Sequence, residues 1–132
     1  MKTIKRIDSP KIAPSDKSYL ANAVLVSGGK LLFISGVGPF DSAMNFIGKG
    51  DVKTQTEKVI ENIKYIVEEA GGTLSDIVKV TVFVKDIKHF EEIAKVREKH
   101  FAGANCASTL VEVSNFVDPD MLLEIEAIAL IR

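Results

Sequence analysis

The 132-residue chain has one cysteine, Cys106, two histidines, His89 and His100, and no apolar run of membrane-spanning length. A single thiol excludes an internal disulfide, and one cysteine with two histidines is too small a set of soft ligands for a structural zinc site. The basic start Met1-Lys2-Thr3-Ile4-Lys5-Arg6 is followed by no apolar stretch of the kind a secretory signal needs. A cytoplasmic location without a membrane partner is the expectation. Excess charge of either sign is also missing. Lys and Arg number 17 against 18 Asp and Glu, a net charge of -1, so no basic field exists to displace counterions from nucleic acid. RNA or DNA as a partner is disfavoured.

What is present is an ordinary globular composition, 46% hydrophobic and 27% charged, without low-complexity tracts, and it suits one domain over residues 1–132. Residues 1–20 mix charge with Pro10 and Pro14 and read as a short strand or arm followed by a loop. Ala23-Val24-Leu25-Val26-Ser27 and Leu31-Leu32-Phe33-Ile34-Ser35 flank Gly28-Gly29-Lys30, a connection of hairpin length, and predict a β-hairpin. Gly36 to Asp41 has turn residues and leads into a polar loop reaching about Gly50.

From Asp51 the period changes. Val52, Thr56, Val59, Ile60, Ile63, Ile66, Val67 and Ala70 form an amphipathic helical stripe, with Asp51 as N-cap and Gly71-Gly72 as its stop. Val78, Val80, Val82 and Val84 then alternate with Lys79, Thr81, Phe83 and Lys85, a strand with one buried and one partly wet face. A second helix is predicted over 88–101, started by Asp86 or its neighbour, with Phe90, Ile93, Ala94, Arg97 and Phe101 on its stripe. Ser108–Val113 and Leu122–Leu130 are two further strands, separated by a loop containing Asp118-Pro119-Asp120. The order predicts an α+β fold of two layers, a mixed β-sheet with both helices on one face. The opposite face then needs a cover, and self-association supplies one.

On the last strand Glu124 and Glu126 point the same way, about 6.5 to 7 Å apart at Cα. In a dry site one carboxylate raises the proton affinity of the other and works as a general acid or base. The same alternation also suits a solvated face, or carboxylates paired with lysines of neighbouring strands. Cys106 has no histidine close in sequence to lower its pKa, so a buried or merely exposed thiol fits it better than a nucleophile. His89 and His100 lie near opposite ends of the second helix, too far apart to act together, and Lys95-Val96-Arg97-Glu98-Lys99-His100 is a mixed-charge helix face.

Four segments occur in an order that resembles the successive signatures of the Rid family, also called YjgF and named for reactive intermediate deamination. They are Leu32-Phe33-Ile34-Ser35-Gly36, Thr54-Gln55-Thr56-Glu57 through Glu61-Asn62-Ile63, Val80-Thr81-Val82-Phe83-Val84-Lys85-Asp86, and Leu123-Glu124-Ile125-Glu126-Ala127-Ile128-Ala129. The resemblance runs from about Tyr19 to the C-terminus. It implies a chorismate-mutase-like fold assembled as a homotrimer, with the sheets packed into a central barrel. It also implies hydrolysis of enamine or imine metabolites, such as 2-aminoacrylate or 2-iminobutyrate, to a 2-keto acid and ammonia in clefts between subunits. No cofactor is implied.

Carried over by residue, the resemblance makes Glu124 the glutamate that orients the attacking water and leaves Glu126 a structural partner. Ser35 and Gly36 match the backbone lining the cleft, Tyr19 the tyrosine that closes it, and Thr109 a position whose amide contacts substrate. The family's carboxylate-clamping arginine falls at Ala107 or Ser108, depending on how Asn105-Cys106-Ala107-Ser108-Thr109 is registered, and neither replaces it. A charge-assisted hydrogen bond is worth about 1.5 to 3 kcal/mol, so an uncompensated loss reduces turnover of an imino acid by about one to two orders of magnitude. Of three arginines, Arg6, Arg97 and Arg132, only Arg97 has a positional claim to take over; otherwise its stem packs on Phe90 or Phe101 while its head reaches water or a glutamate. The functional expectation is a hydrolase of imines or enamines whose substrate need not be a 2-imino acid. The alternative is a small-molecule-binding module, a sensor or carrier that has lost catalysis with the arginine.

Overall fold

The computed structural model describes residues 1–14, 17–101 and 106–132. Asn105, one of the five residues whose register decides the arginine position, lies outside them. The strands are β1 (Thr3–Ile7), β2 (Ala23–Ser27), β3 (Lys30–Val37), β4 (Ile77–Val84), β5 (Ala107–Glu112) and β6 (Leu123–Ile131), and the helices α1 (Val52–Glu69) and α2 (Phe90–Phe101). Four strands form a mixed sheet in the order β3-β6-β4-β5, antiparallel except for the parallel pair β4–β5. Both helices cover one face, giving the α+β arrangement. Among the described residues no helix is long and apolar enough to cross a membrane.

Both helices begin, and α1 ends, for reasons visible in the sequence. Asp51 accepts from the Thr54 amide at 3.2 Å, satisfying a donor of the first turn of α1. At the other end Gly72 N donates to Val67 O and Gly71 N to Glu68 O, both at 2.9 Å, with Gly71 at φ +86°, the left-handed closure that glycine permits. Asp86 accepts from Lys88 N at 3.0 Å and starts a 3-10 turn, Ile87–His89, from which α2 continues. The sequence pattern ran these two pieces together as one helix.

The core lies between the helices and the inward residues of the sheet. Val59, Ile60, Ile63 and Val67 of α1 meet Val80, Val82 and Val84 of β4 and Leu123, Ile125, Ala127 and Ala129 of β6, all buried. Each fully buried aliphatic side chain contributes about 1.5 to 3 kcal/mol before conformational entropy is charged against it. Gln55 is 0% exposed and ties the layers at one end. Its Nε2 donates to Gly48 O and Asp120 O, and its Oε1 accepts from Leu122 N at 2.8 Å, fixing the start of β6 on α1.

The predicted hairpin is not formed. β2 pairs antiparallel with β1, from Thr3↔Ser27 to Ile7↔Ala23, whereas β3 pairs with β6, and among the described residues β2 has no ladder to β3. Gly28 and Gly29 both have left-handed φ, +66° and +68°, and the backbone of Met1 runs against Gly28 so closely that a Cβ there would stand 1.9 Å from Met1 O. The Lys2 ammonium, bonded to Asp76 and to Leu130 O, anchors β1 beside the end of β6. The partner of β2 is therefore the first strand and not the one that follows it.

Candidate functional site

The open face of the sheet is set by alternation. β3 presents Leu31, Phe33 and Ser35, β4 Lys79, Thr81 and Phe83, β5 Ala107, Thr109 and Val111, and β6 Glu124, Glu126 and Ile128. Three large apolar side chains stand in water here, Phe33 at 71%, Leu31 at 55% and Val111 at 40% exposure. The two glutamates are unequal in position. Glu126 faces Thr81 and is exposed, while half-buried Glu124 faces Phe83 and reaches toward β3.

A bulge receives it. The β3–β6 register shifts between Ile34 and Val37, so Ser35 and Gly36 bend out of the ladder beside Glu124. A Cβ built on Gly36 would lie 1.9 Å from Glu124 Oε1, so the carboxylate rests on the glycine backbone and only glycine leaves it room. This brings Ser35, Gly36 and Glu124 together, as the resemblance implied.

The other expected residues divide between the two faces. Ser108 pairs with Val80 and points to the helices, where Arg97 Nη2 donates to its Oγ at 2.9 Å. Arg97 is 4% exposed, its guanidinium 5.2 Å from the centre of the Tyr19 ring, and burial pushes its pKa down against the opposing pull of Tyr19 and Cys106. Tyr19, 1% exposed, sends its hydroxyl to Ala94 O at 3.4 Å. Cys106 is buried beside them, bridged to Leu20, and burial pushes its thiol up to about 11 despite Arg97 and Lys79. Tyr19, Arg97, Cys106 and Ser108 thus form one cluster on the helix side.

Ala107 faces the open side, where its register partner is Lys79. The Lys79 ammonium donates to Thr109 Oγ1 at 3.0 Å and to Val80 O at 3.2 Å, leaning toward β5. It borders a concavity of about 480 Å³ with Phe33, Ser35, Thr81, Glu126 and Ile128. Sequence reasoning placed Lys79 on the wet face without giving it a role, because the parallel β4–β5 register that sets it against Ala107 is not written in either strand. Among the described residues no three His, Cys, Asp or Glu side chains converge as a metal site requires.

Within one chain Ala107 and Glu124 are far apart. Their β4 partners, Lys79 and Phe83, are four residues apart, and β4 itself stands between β5 and β6. That is about 13 Å along the strands and 9.6 Å across them, or roughly 16 Å between Cα atoms.

The family model described as Endoribonuclease L-PSP matches residues 12–131. The chain belongs to this family, the Rid or YjgF family. A RutC family protein of Pyrococcus abyssi is 46% identical over 117 residues, 89% of this chain and 90% of that one. Among solved structures, the Rid family protein YyfB of Yersinia pestis superposes with a TM-score of 0.90 at 26% identity, covering 97% of this chain and 98% of its own. A putative endoribonuclease of Thermotoga maritima gives 0.73 at 32% identity, over 97% and 98%. The two helices on a mixed sheet are thus the architecture of Rid proteins.

Proposed function

We propose that this Rid protein hydrolyses small imine and enamine metabolites to a carbonyl compound and ammonia, in clefts formed between copies of the chain. The observation that carries the reading is the seat of Glu124 on the Gly36 bulge. It fixes a carboxylate beside a break in the β3–β6 ladder where it accepts a proton from water, and the adjacent backbone offers the fixed dipoles that steady developing charge. An enamine takes a proton at carbon to give the iminium. Water held by Glu124 then attacks the iminium carbon, the carbinolamine passes a proton to nitrogen, and the C–N bond breaks to leave a carbonyl and ammonium.

A small substrate cannot touch Glu124 and the start of β5 in one chain, given the roughly 16 Å between them. A cleft that uses both takes Glu124 from one copy and Ala107 with Thr109 from another. Exposed Leu31, Phe33 and Val111 favour the same conclusion, since an apolar sheet face gains about 25 cal/mol per Å² when a second copy covers it. Sedimentation equilibrium is expected to give a particle of three times the chain mass of 14.4 kDa.

The test is ammonia release from 2-iminobutyrate, generated in the assay, and from a neutral imine. Wild type is expected to outpace buffer on at least one, and Glu124→Gln to abolish the gain. If neither imine is hydrolysed faster with protein, the hydrolase reading fails. The absence of arginine at 107 and 108 favours a second reading, a metabolite-binding module, for which ligand binding survives Glu124→Gln with no turnover anywhere. Ribonuclease action, named in the family description, finds little to hold phosphate on a sheet face where, within the four strands, Lys79 is the one cation against two glutamates.

A further inference from the structure

Among the described residues two strand edges are left without a ladder. One is the outer edge of β3, which ends the order β3-β6-β4-β5, and the other is the side of β2 turned away from β1. Such edges present a row of unpaired amide and carbonyl groups that recruit another strand. β1 and β2 make a two-stranded sheet that touches the rest of the chain at few points, and a pair of that kind is marginal in water unless it docks on something larger. Leu25, in the middle of β2, is 61% exposed. Beside the outer edge of β3, on the helix side, lies a hollow of about 540 Å³ lined by Leu32, Tyr65, Ile66, Glu69 and Ala70. A strand laid antiparallel on β3 with Leu25 opposite Leu32 puts the leucine into that hollow. The same alignment sets Val24 and Val26 level with Phe33 and Leu31, and brings Lys5, which shares the face of Leu25, to the side of Glu69.

The chain as folded cannot supply this strand to itself. Ala21 N donates to Cys106 O at 3.0 Å, at the start of β5 on the far edge of the sheet, while Lys2 reaches Asp76 and Leu130 O. Laid flat against its own β3, the arm would put β1 three strands from β6, about 14 Å away and beyond one lysine side chain. We infer that the outer edge of β3 receives β2 from a second copy, each copy giving its arm, residues 1–27, to the next. Gly28 and Gly29, both with left-handed φ, are the hinge. An arm passed on in this way is a head-to-tail contact, which closes in the three-copy particle proposed above. It lies at the edge of the sheet and leaves the open face to the association already described. The exchange goes beyond the hydrolase reading and does not depend on it.

Crosslinking tests it. On a Cys106→Ala background, one chain carries Leu25→Cys and another Leu32→Cys, and the two are refolded together and treated with a short bismaleimide. Denaturing electrophoresis is expected to show a linked pair of chains that neither variant forms alone. A link confined to single chains when both cysteines are placed in one chain would put β2 on its own β3 and overturn the exchange, as would the absence of any link between the two positions. Leu25→Asp probes the same contact without cysteines. It changes a side chain exposed in the single copy, so circular dichroism should be unchanged, while self-association in a sedimentation dilution series should weaken about tenfold or more. Unchanged association would overturn the inference, whatever becomes of imine hydrolysis.

Discussion

Replacing Gly36 by alanine probes the contact on which the position of Glu124 depends, and two opposing effects decide the sign. A methyl group there would stand 1.9 Å from Glu124 Oε1 and 2.7 Å from its carboxyl carbon, so the glutamate must leave. The obstructing atoms end a flexible side chain, and forcing it into a poorer rotamer costs about 0.5 to 1.5 kcal/mol. Gly36 is not among the glycines with left-handed φ, so alanine is not strained there and gains about 0.4 to 1 kcal/mol by restricting the unfolded chain. In wild type the two nearly cancel, for a net change between roughly 0.5 kcal/mol stabilising and 1 kcal/mol destabilising. In a Glu124→Ala background only the gain remains, and the same substitution should stabilise. Urea denaturation at fixed protein concentration therefore predicts a coupling of about 0.5 to 1.5 kcal/mol across the double-mutant cycle. Imine hydrolysis by Gly36→Ala should fall as far as in Glu124→Gln, because the carboxylate is present but displaced. Identical stability changes in both backgrounds would refute the contact, and undiminished turnover would refute its role.

The helix-side cluster predicts a contrast at Arg97. Arg97→Met keeps the stem, removes a buried charge and should stay within about 1 kcal/mol of wild type in urea, whereas Arg97→Ala leaves a cavity costing about 2 to 4 kcal/mol. Imine hydrolysis by the Met variant should be unchanged. Cys106, raised from 9.0 to about 11 in the folded chain, contributes stability that is complete below pH 9 and lost as pH rises through 11, in total about 3 kcal/mol. Unfolding titrations from pH 8 to 11 should show that decline and Cys106→Ala should lack it. Gln55→Ala strands the Leu122 amide and the carbonyls of Gly48 and Asp120 and should cost about 2 to 4 kcal/mol by denaturant midpoint.

Local physics made much of the fold legible. The α1 stripe, its Asp51 cap and its Gly71-Gly72 stop are each satisfied within a few residues of chain, and all three occur where the sequence puts them. The alternation of Val78 to Val84 assigns faces without reference to any neighbour, as does that of Leu123 to Ala129. The β2–β3 hairpin failed because two glycines permit a tight reversal without requiring one, and β2 pairs instead with β1, an alternating strand only five residues long. Which edge wins is decided partly by Lys2, whose partners Asp76 and Leu130 lie more than seventy residues away.

The site was legible in proportion to how local its parts are. Glu124, Ser35 and Gly36 come from two strands whose patterns fix their faces. The arginine question turned on a single step of register at 107 and 108, and one step exchanges the faces of a strand. In the ladder Lys79↔Ala107 and Val80↔Ser108, the serine falls among the helices beside Arg97 and the alanine falls open beside a lysine. Among the arginines only Arg97 has a positional claim as the replacement cation, and its own helix carries it into the core. A substitute for a lost side chain need only reach the same point in space, and across a parallel ladder the nearest residue to Ala107 is Lys79, twenty-eight positions earlier, which alternation places on a wet face without giving it a role.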